Sequence, residues 1–247
     1  WRDDATVAGG TVTVTDGGEP ITVSAMQAGL PFGWAIETMP VEAQLADAVE
    51  AVVKRNAELG METDERDGRV DAMEREIDEA IIRLLARRQP MADDLRQVLA
   101  ALKIVGILER VGDYAAHVGR RAAELARDRE TQAVQVIGRM GKMVRELFSD
   151  VLGAYARHDA ELALSVWRRD QDIDHLYASF FRELLTAMAE DPQNINACMH
   201  LLFIAKYIER IGDFATNIAE NVHFVVLGVM PAGKRPKAGK TESPLLP

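Results

Sequence analysis

Two stretches of this chain say nearly the same thing: ERVGDYAAHVG (Glu109–Gly119) and ERIGDFATNIA (Glu209–Ala219). Each keeps Glu-Arg-apolar-Gly-Asp-aromatic-Ala, with both acids four residues apart. Working outward, VEAQLADAVEAVVKRNAELGMETDERDGRVD (Val41–Asp71) aligns without a gap on VRELFSDVLGAYARHDAELALSVWRRDQDID (Val144–Asp174). Leu45 matches Phe148, Asn56 matches Asp159, and Asp67 and Asp71 match Asp170 and Asp174. Three residues drop out near Pro90 and Pro192, and the register then resumes through the two Glu-Arg motifs. The chain is an internal duplication.

Each copy reads as helix throughout. Ile104, Ile107, Val111, Tyr114 and Val118 repeat at a 3-4-3-4 spacing, and Ile204, Tyr207, Ile211, Phe214 and Ile218 do the same. That spacing lays one apolar stripe along a helix. Asn56 and Asp159 each precede Ala-Glu-Leu and suit helix caps. Pro90 and Pro192 suit a helix start, where a missing N–H costs nothing. The pattern predicts six helices, over 41–56, 57–88, 91–128, 131–157, 159–190 and 193–227. The fold class is therefore all-α: two tandem antiparallel three-helix bundles, 41–128 and 131–227, with the first helix of the first bundle truncated.

The flanks depart from this pattern. Residues 1–40 hold TVTVTDGGEPITVS, whose Thr/Val alternation about Asp16-Gly17-Gly18 resembles a hairpin, and a hairpin alone is marginal in water. A poorly ordered segment outside the repeat is the expectation there; a biological replacement and a reading-frame error upstream of Val41 account for it equally. The Pro/Gly/Lys-rich end, 228–247, reads as a disordered basic tail.

Composition narrows the function. The chain has 247 residues, of which 48% are apolar and 28% charged, so most of it can fold around a core. Its formal net charge of −10 argues against a nucleic-acid partner. A single cysteine, Cys198, leaves no disulfide framework and no Cys-based zinc site. No apolar run approaches the roughly 20 residues of a bilayer span, and no signal peptide is visible. A cytoplasmic protein with no direct membrane insertion is the expectation.

The acids carry the chemistry. Glu109 with Asp113, and Glu209 with Asp213, share a helical face at about 5–6 Å between Cβ atoms. That face lies roughly opposite the apolar stripe and beside small residues. The preceding helix supplies Asp67 with Asp71, and Asp170 with Asp174. Packed antiparallel, two helices bring four carboxylates together at the surface of each bundle. Like charges so placed repel, and either some stay protonated or a cation sits among them. Hard cations with oxygen ligands fit: iron, manganese, magnesium or calcium. The plainer alternative is solvated acids paired with Arg110 or Arg210 at little gain. His117, one turn beyond Asp113, and its counterpart Asn217 are additional candidate ligands; a hydrogen bond to a neighbouring helix would serve either equally well.

Glu209–Ala219 and its first-copy form resemble the signature of the PhoU family, and LLARRQPMADDLRQVLAALKIVGILERVGDYA (Leu84–Ala115) resembles that family's central stretch. The resemblance covers Val41 to about Gly228. It implies a homodimer and multinuclear metal clusters on E(D)xxxD motifs. Carried over, these fall on Asp67, Asp71, Glu109 and Asp113, and on Asp170, Asp174, Glu209 and Asp213. Iron is the leading metal, with manganese, magnesium or zinc as alternatives. The implied role is a non-enzymatic negative regulator of phosphate uptake and phosphate-starvation signalling. It would couple a phosphate ABC transporter, through its ATPase component, to a phosphate-sensing histidine kinase. His117 departs from the family's usual Asn. The competing class is a metal-dependent hydrolase or oxidase, since clustered carboxylates also build two-metal sites. Against it stand the lack of a second Glu-x-x-His to partner Glu220-x-x-His223 as di-iron bundles require, and the absence of a Gly-rich phosphate loop and of a nucleophile–base set. A purely structural bundle is the third reading.

Overall fold

The computed structural model describes residues 5–8, 11–14, 21–24, 36, 39–129 and 131–232. Three strands come first: β1 (Ala5–Ala8), β2 (Thr11–Val14) and β3 (Ile21–Ser24). They form an antiparallel meander in which Ala5 faces Val14 and Thr11 faces Ser24. The expected hairpin is β2–β3. Ala5–Ala8 pairs the second edge of β2. The tail beyond 232 lies outside the described residues.

From Val41 on, the described chain is helical. The first copy holds α1 (Val41–Val53), α2 (Ala57–Glu65), α3 (Asp67–Arg88) and α4 (Asp93–Leu125). The second holds α5 (Val134–Arg157), α6 (Ala160–Glu190) and α7 (Ile195–Leu227), with a 3-10 turn at Pro192–Asn194. Asn56 caps α2 by accepting from the Leu59 N–H at 3.1 Å, and Asp159 caps α6 by accepting from the Leu162 N–H at 2.9 Å. These are the caps the sequence offered. Gly228, at φ 72°, ends α7 in the left-handed conformation glycine adopts freely.

One predicted helix is two. Residues 57–88 break at Arg66, where the Arg69 N–H bonds the Arg66 carbonyl three residues back. The second-copy counterpart, α6, runs unbroken for 31 residues. Gly60, Asp64 and Gly68 stand where α6 has Ala163, Trp167 and Gln171, and glycine and aspartate are the weaker helix formers. The other helix ends differ from the sequence expectation by a few residues, the usual fraying of termini. The truncated start is visible: α1 spans 13 residues and its counterpart α5 spans 24. Just ahead of α1, Ile36 and Met39 are buried against the core.

The two bundles share one continuous core. Their seam runs along α4 and α7, which cross antiparallel: Tyr114 packs on Tyr207 and Phe214, and Arg121 lies over the Phe203 ring. A second seam joins α1 to α5, where Gly141 leaves space for Val49. This explains why Ile107 and Tyr114 are only partly buried while Ile104, Val111 and Val118 are fully so. The stripe serves two neighbours, its own bundle and the other one.

Candidate functional site: two carboxylate faces

The acidic motifs sit where α3 crosses α4 and where α6 crosses α7. Helix geometry puts Gly112 one residue before Asp113 and three after Glu109, facing the neighbouring helix. A Cβ added there would lie 3.0 Å from Asp67 Oδ1 and 3.3 Å from Val70. In the second copy a Cβ on Gly212 would lie 2.8 Å from Asp170 Oδ1. The glycine of each Glu-Arg-x-Gly-Asp motif is thus the notch that receives the aspartate of the preceding helix. Here glycine supplies space rather than conformational freedom, since both positions are ordinary helix; a methyl group would push the carboxylate aside.

In the first copy the predicted acids come together. The Asp67 carboxyl is raised above its ordinary range, first by burial and then by Asp113 and Asp71, with a hydrogen bond from Gln44 working the other way. Burial, followed by Asp113, Glu74 and Asp71, pushes Glu109 up to about 6, with Arg110 opposing. Glu74 belongs to this face and the sequence reading missed it. It lies one turn beyond Asp71, over Gly106, whose added Cβ would sit 3.7 Å from Glu74 Oε1. The signal was in the sequence as Asp71-x-x-Glu74, hidden because its second-copy counterpart is Tyr177 rather than an acid. Among the described residues no lysine or arginine nitrogen forms an ion pair with these five carboxylates.

Gln44 completes the first face and was also missed. It reaches in from α1, 3% exposed, and its amide nitrogen donates to Thr63 O at 3.2 Å, Asp67 Oδ1 at 3.3 Å and Gly112 O at 3.4 Å. Its Oε1 is buried without a partner and lies 3.4 Å from the Gly112 notch. The second-copy counterpart is Leu147, so the repeat comparison gave no warning.

The second face is built differently. Asp170 is 2% exposed, against the expectation of acids at the bundle surface, because α6 continues unbroken and presses it onto Gly212. Glu209 is raised mainly by burial, with Asp213 and Asp174 adding and Lys206 opposing. Lys206 Nζ holds Glu209 Oε2 at 2.7 Å and lies 5.1 Å from the centre of the Tyr177 ring. All eight predicted acids therefore fall on the two faces.

His117 and Asn217 part company with the acids. His117 stacks on Tyr207 at 5.2 Å and meets Tyr114 edge-on, in the seam between bundles, with Nδ1 buried and unpartnered. Burial and then Arg120 hold its pKa below the ordinary value, with Asp113 opposing. Asn217 is exposed, and its carbonyl accepts from the Asn221 side chain at 2.7 Å.

The donors on both faces are hard oxygens, the kind hard cations take, and on the first the Gln44 amide oxygen is buried without a partner. Among the described residues, no three His, Cys, Asp or Glu side chains form a group that could hold a metal ion.

The PhoU domain model matches residues 40–122 and 137–222, one match per copy. A Caulobacter vibrioides (strain NA1000 / CB15N) protein, described as a phosphate-specific transport system accessory protein PhoU homolog, is 48% identical over 197 residues, 79% of this chain and 86% of its own. A Pseudomonas aeruginosa (strain PAO1) relative of the same description is 42% identical over 189 residues, 76% of this chain and 78% of its own. The crystal structure of PhoU from Pseudomonas aeruginosa superposes with a TM-score of 0.79 at 39% identity, covering 83% of this chain and 99% of that one. PhoU from Streptococcus pneumoniae, at 24% identity and a TM-score of 0.74 over 83% of this chain and 95% of that one, shares the fold. This chain belongs to the PhoU family. Its relatives are described as accessory and regulatory proteins.

Proposed function

We propose that this chain is a non-enzymatic accessory protein of phosphate transport that represses phosphate uptake and the phosphate-starvation response. In this reading a cytoplasmic homodimer couples the ATPase component of a phosphate ABC transporter to a sensor histidine kinase. The names of the relatives support the transport role, and among the described residues no helix is long and apolar enough to cross a membrane. The observation that carries the site is the pairing, in both copies, of an E-x-x-G-D motif with an aspartate seated in its glycine notch. Asp67, Asp71, Glu109 and Asp113, and Asp170, Asp174, Glu209 and Asp213, would hold metal ions, iron first among them. A bound cation relieves carboxylate repulsion and offers open positions to an oxyanion such as phosphate. The residues themselves supply charge, orientation and, through the long helical faces, docking area.

Elemental analysis of the purified protein beside a variant with all eight acids replaced by alanine tests the metal. Equal metal content in the two removes it. A deletion strain carrying either form, assayed for phosphate-starvation output, tests the regulation. Repression restored by the wild type alone supports the reading. Unchanged output on deletion overturns it. Phosphate titrated into metal-loaded protein tests the direct ligand, and a flat isotherm at millimolar phosphate excludes it.

A further inference from the structure

The outward stripe of α4 changes character along its length. Leu95, Leu99, Leu102, Gly106, Glu109 and Asp113 recur at a 4-3-4-3-4 spacing and so share one helical face. Near the helix start that face is apolar and open to water, with Leu99 42% and Leu102 38% exposed. Past Gly106 it turns acidic, and Glu74 reaches over it from α3. The matched stripe of α7 carries its own cation: Lys206 stands in the place of Gly106 and holds Glu209 at 2.7 Å. The first copy has a gap where the second has an ammonium.

The chain supplies that charge close by. A Cβ on Gly228 would lie 3.6 Å from the Arg96 guanidinium, so α7 ends beside the first turn of α4. His223 Nδ1 lies 2.8 Å from the Val229 carbonyl oxygen, which holds the exit of the chain there. Residues 233–247 lie outside the described residues; in sequence they carry Lys234, Arg235, Lys237 and Lys240 against one acid, Glu242. From Arg96 to Glu109 α4 rises about 20 Å. Extended chain from Ala232 to Lys240 spans up to about 26 Å. The basic residues therefore reach the acids by passing over Leu99 and Leu102, and Lys and Arg stems cover apolar surface while their heads stay charged.

We propose that the segment Lys234–Lys240 docks along the outward stripe of α4 as an intramolecular strap. Lys234 and Arg235 lay their stems over Leu99 and Leu102, and Lys237 and Lys240 reach Glu74, Glu109 and Asp113. The strap covers the first copy's face and leaves the second's, where Lys206 already offsets part of the charge. A basic partner segment approaching the first face has to displace it. The charges that meet are exposed ones, so salt weakens the docking.

The test is paramagnetic-relaxation NMR on the full chain, in chelator so that no metal ion intervenes, with a nitroxide on Thr241→Cys. Cys198, the native thiol, is replaced by valine, the residue at the matched position 98. In low salt the amide signals of Leu99–Asp113 should lose about half their intensity or more, and about 0.5 M NaCl, where the Debye length is roughly 4 Å, should restore them. Replacing Lys234, Arg235, Lys237 and Lys240 together by Glu should restore them as well. Leu99→Ala with Leu102→Ala, at exposed positions, should restore them in part, and circular dichroism melts confirm that each variant folds. Broadening confined to residues around Arg96 and unmoved by the charge reversal overturns the docking. Equal broadening of Met199–Asp213 overturns the preference for the first copy. A mixture of spin-labelled chain with isotope-labelled, label-free chain separates the copies: broadening in that mixture seats the segment on a second molecule and overturns the intramolecular strap.

Discussion

Where α2 crosses α4, glycine meets glycine; the matching positions of α6 and α7 hold alanines. A Cβ on Gly119 would lie 2.5 Å from the Gly60 carbonyl oxygen, and a Cβ on Gly60 equally close to that of Gly119. Ala163 and Ala219, their counterparts, are both fully buried at a crossing that accommodates a methyl group on each side. The pair across the same crossing changed as well. Asp64 and Arg120 form an ion pair in the first copy, and in the second the Trp167 indole donates to Glu220 Oε1 at 3.0 Å. One ancestral contact was thus solved twice, once by close backbone approach with charges at the rim and once by bulk. The difference teaches that the fold tolerates two side-chain solutions where its second and third rods cross. On the acid faces, Asp67 is partly exposed and Asp170 is buried.

The comparison can be broken most forcefully at the glycine crossing. Gly119→Ala places a methyl against backbone that cannot step aside. Overpacking at the upper end of about 1–3 kcal/mol, less about 1 kcal/mol of helix propensity regained, leaves a net loss of about 2 kcal/mol in urea unfolding. Trp167→Phe comes next: it removes a half-buried hydrogen bond worth about 0.5–1.5 kcal/mol, and the melt should fall accordingly. Gln44→Leu makes the first copy resemble the second. It removes an unsatisfied buried oxygen, whose cost is about 1–3 kcal/mol, and loses three long hydrogen bonds. The gain and the loss of about 0.5 kcal/mol for each long bond offset each other, so metal-free stability should change by less than about 1 kcal/mol, while Asp67, stripped of the partner that lowers its pKa, titrates higher still by NMR.

A pH series sharpens the contrast between the faces. Glu109 has a folded pKa of about 6, above its ordinary 4.5, so the folded chain binds this proton more tightly than the unfolded one. Stability contributed by protonating Glu109 is present at low pH and is lost as pH rises from about 4.5 to about 6. In chelator, the melting temperature should consequently drop across that window, and Glu109→Gln should flatten the drop. Glu209→Gln should change the slope less, because Lys206 already offsets the charge. The smallest effect belongs to Arg120→Ala, which breaks an exposed ion pair worth about 0.2–1 kcal/mol.

Much of this was legible in the chain before any coordinates. The duplication, the helical rods, both Asx caps and all eight acids follow from spacing, because helix periodicity fixes which residues share a face. What stayed hidden had physical reasons. Glu74 and Gln44 break the repeat, and a reading that weighs matched positions discounts exactly the unmatched ones that make the faces unequal. The break at Arg66 depends on several weak helix formers acting together, none decisive alone. The inter-bundle seam was invisible because Tyr114, Tyr207 and Phe214 sit in the same stripe as true core residues. The burial of Asp170 came from the unbroken run of α6, which an i, i+4 count does not report.

Arg55, at φ 53°, turns the corner between α1 and α2, and its guanidinium donates to the carbonyls of Ala126, Asp128 and Arg129. The short passage from one repeat to the next is therefore stapled to the first by a side chain from far upstream. Protease should find little slack there, and extra residues inserted between Ala126 and Arg129 would have to tear that clasp. The clasp thus ties the end of the first repeat back to the corner between its own opening helices.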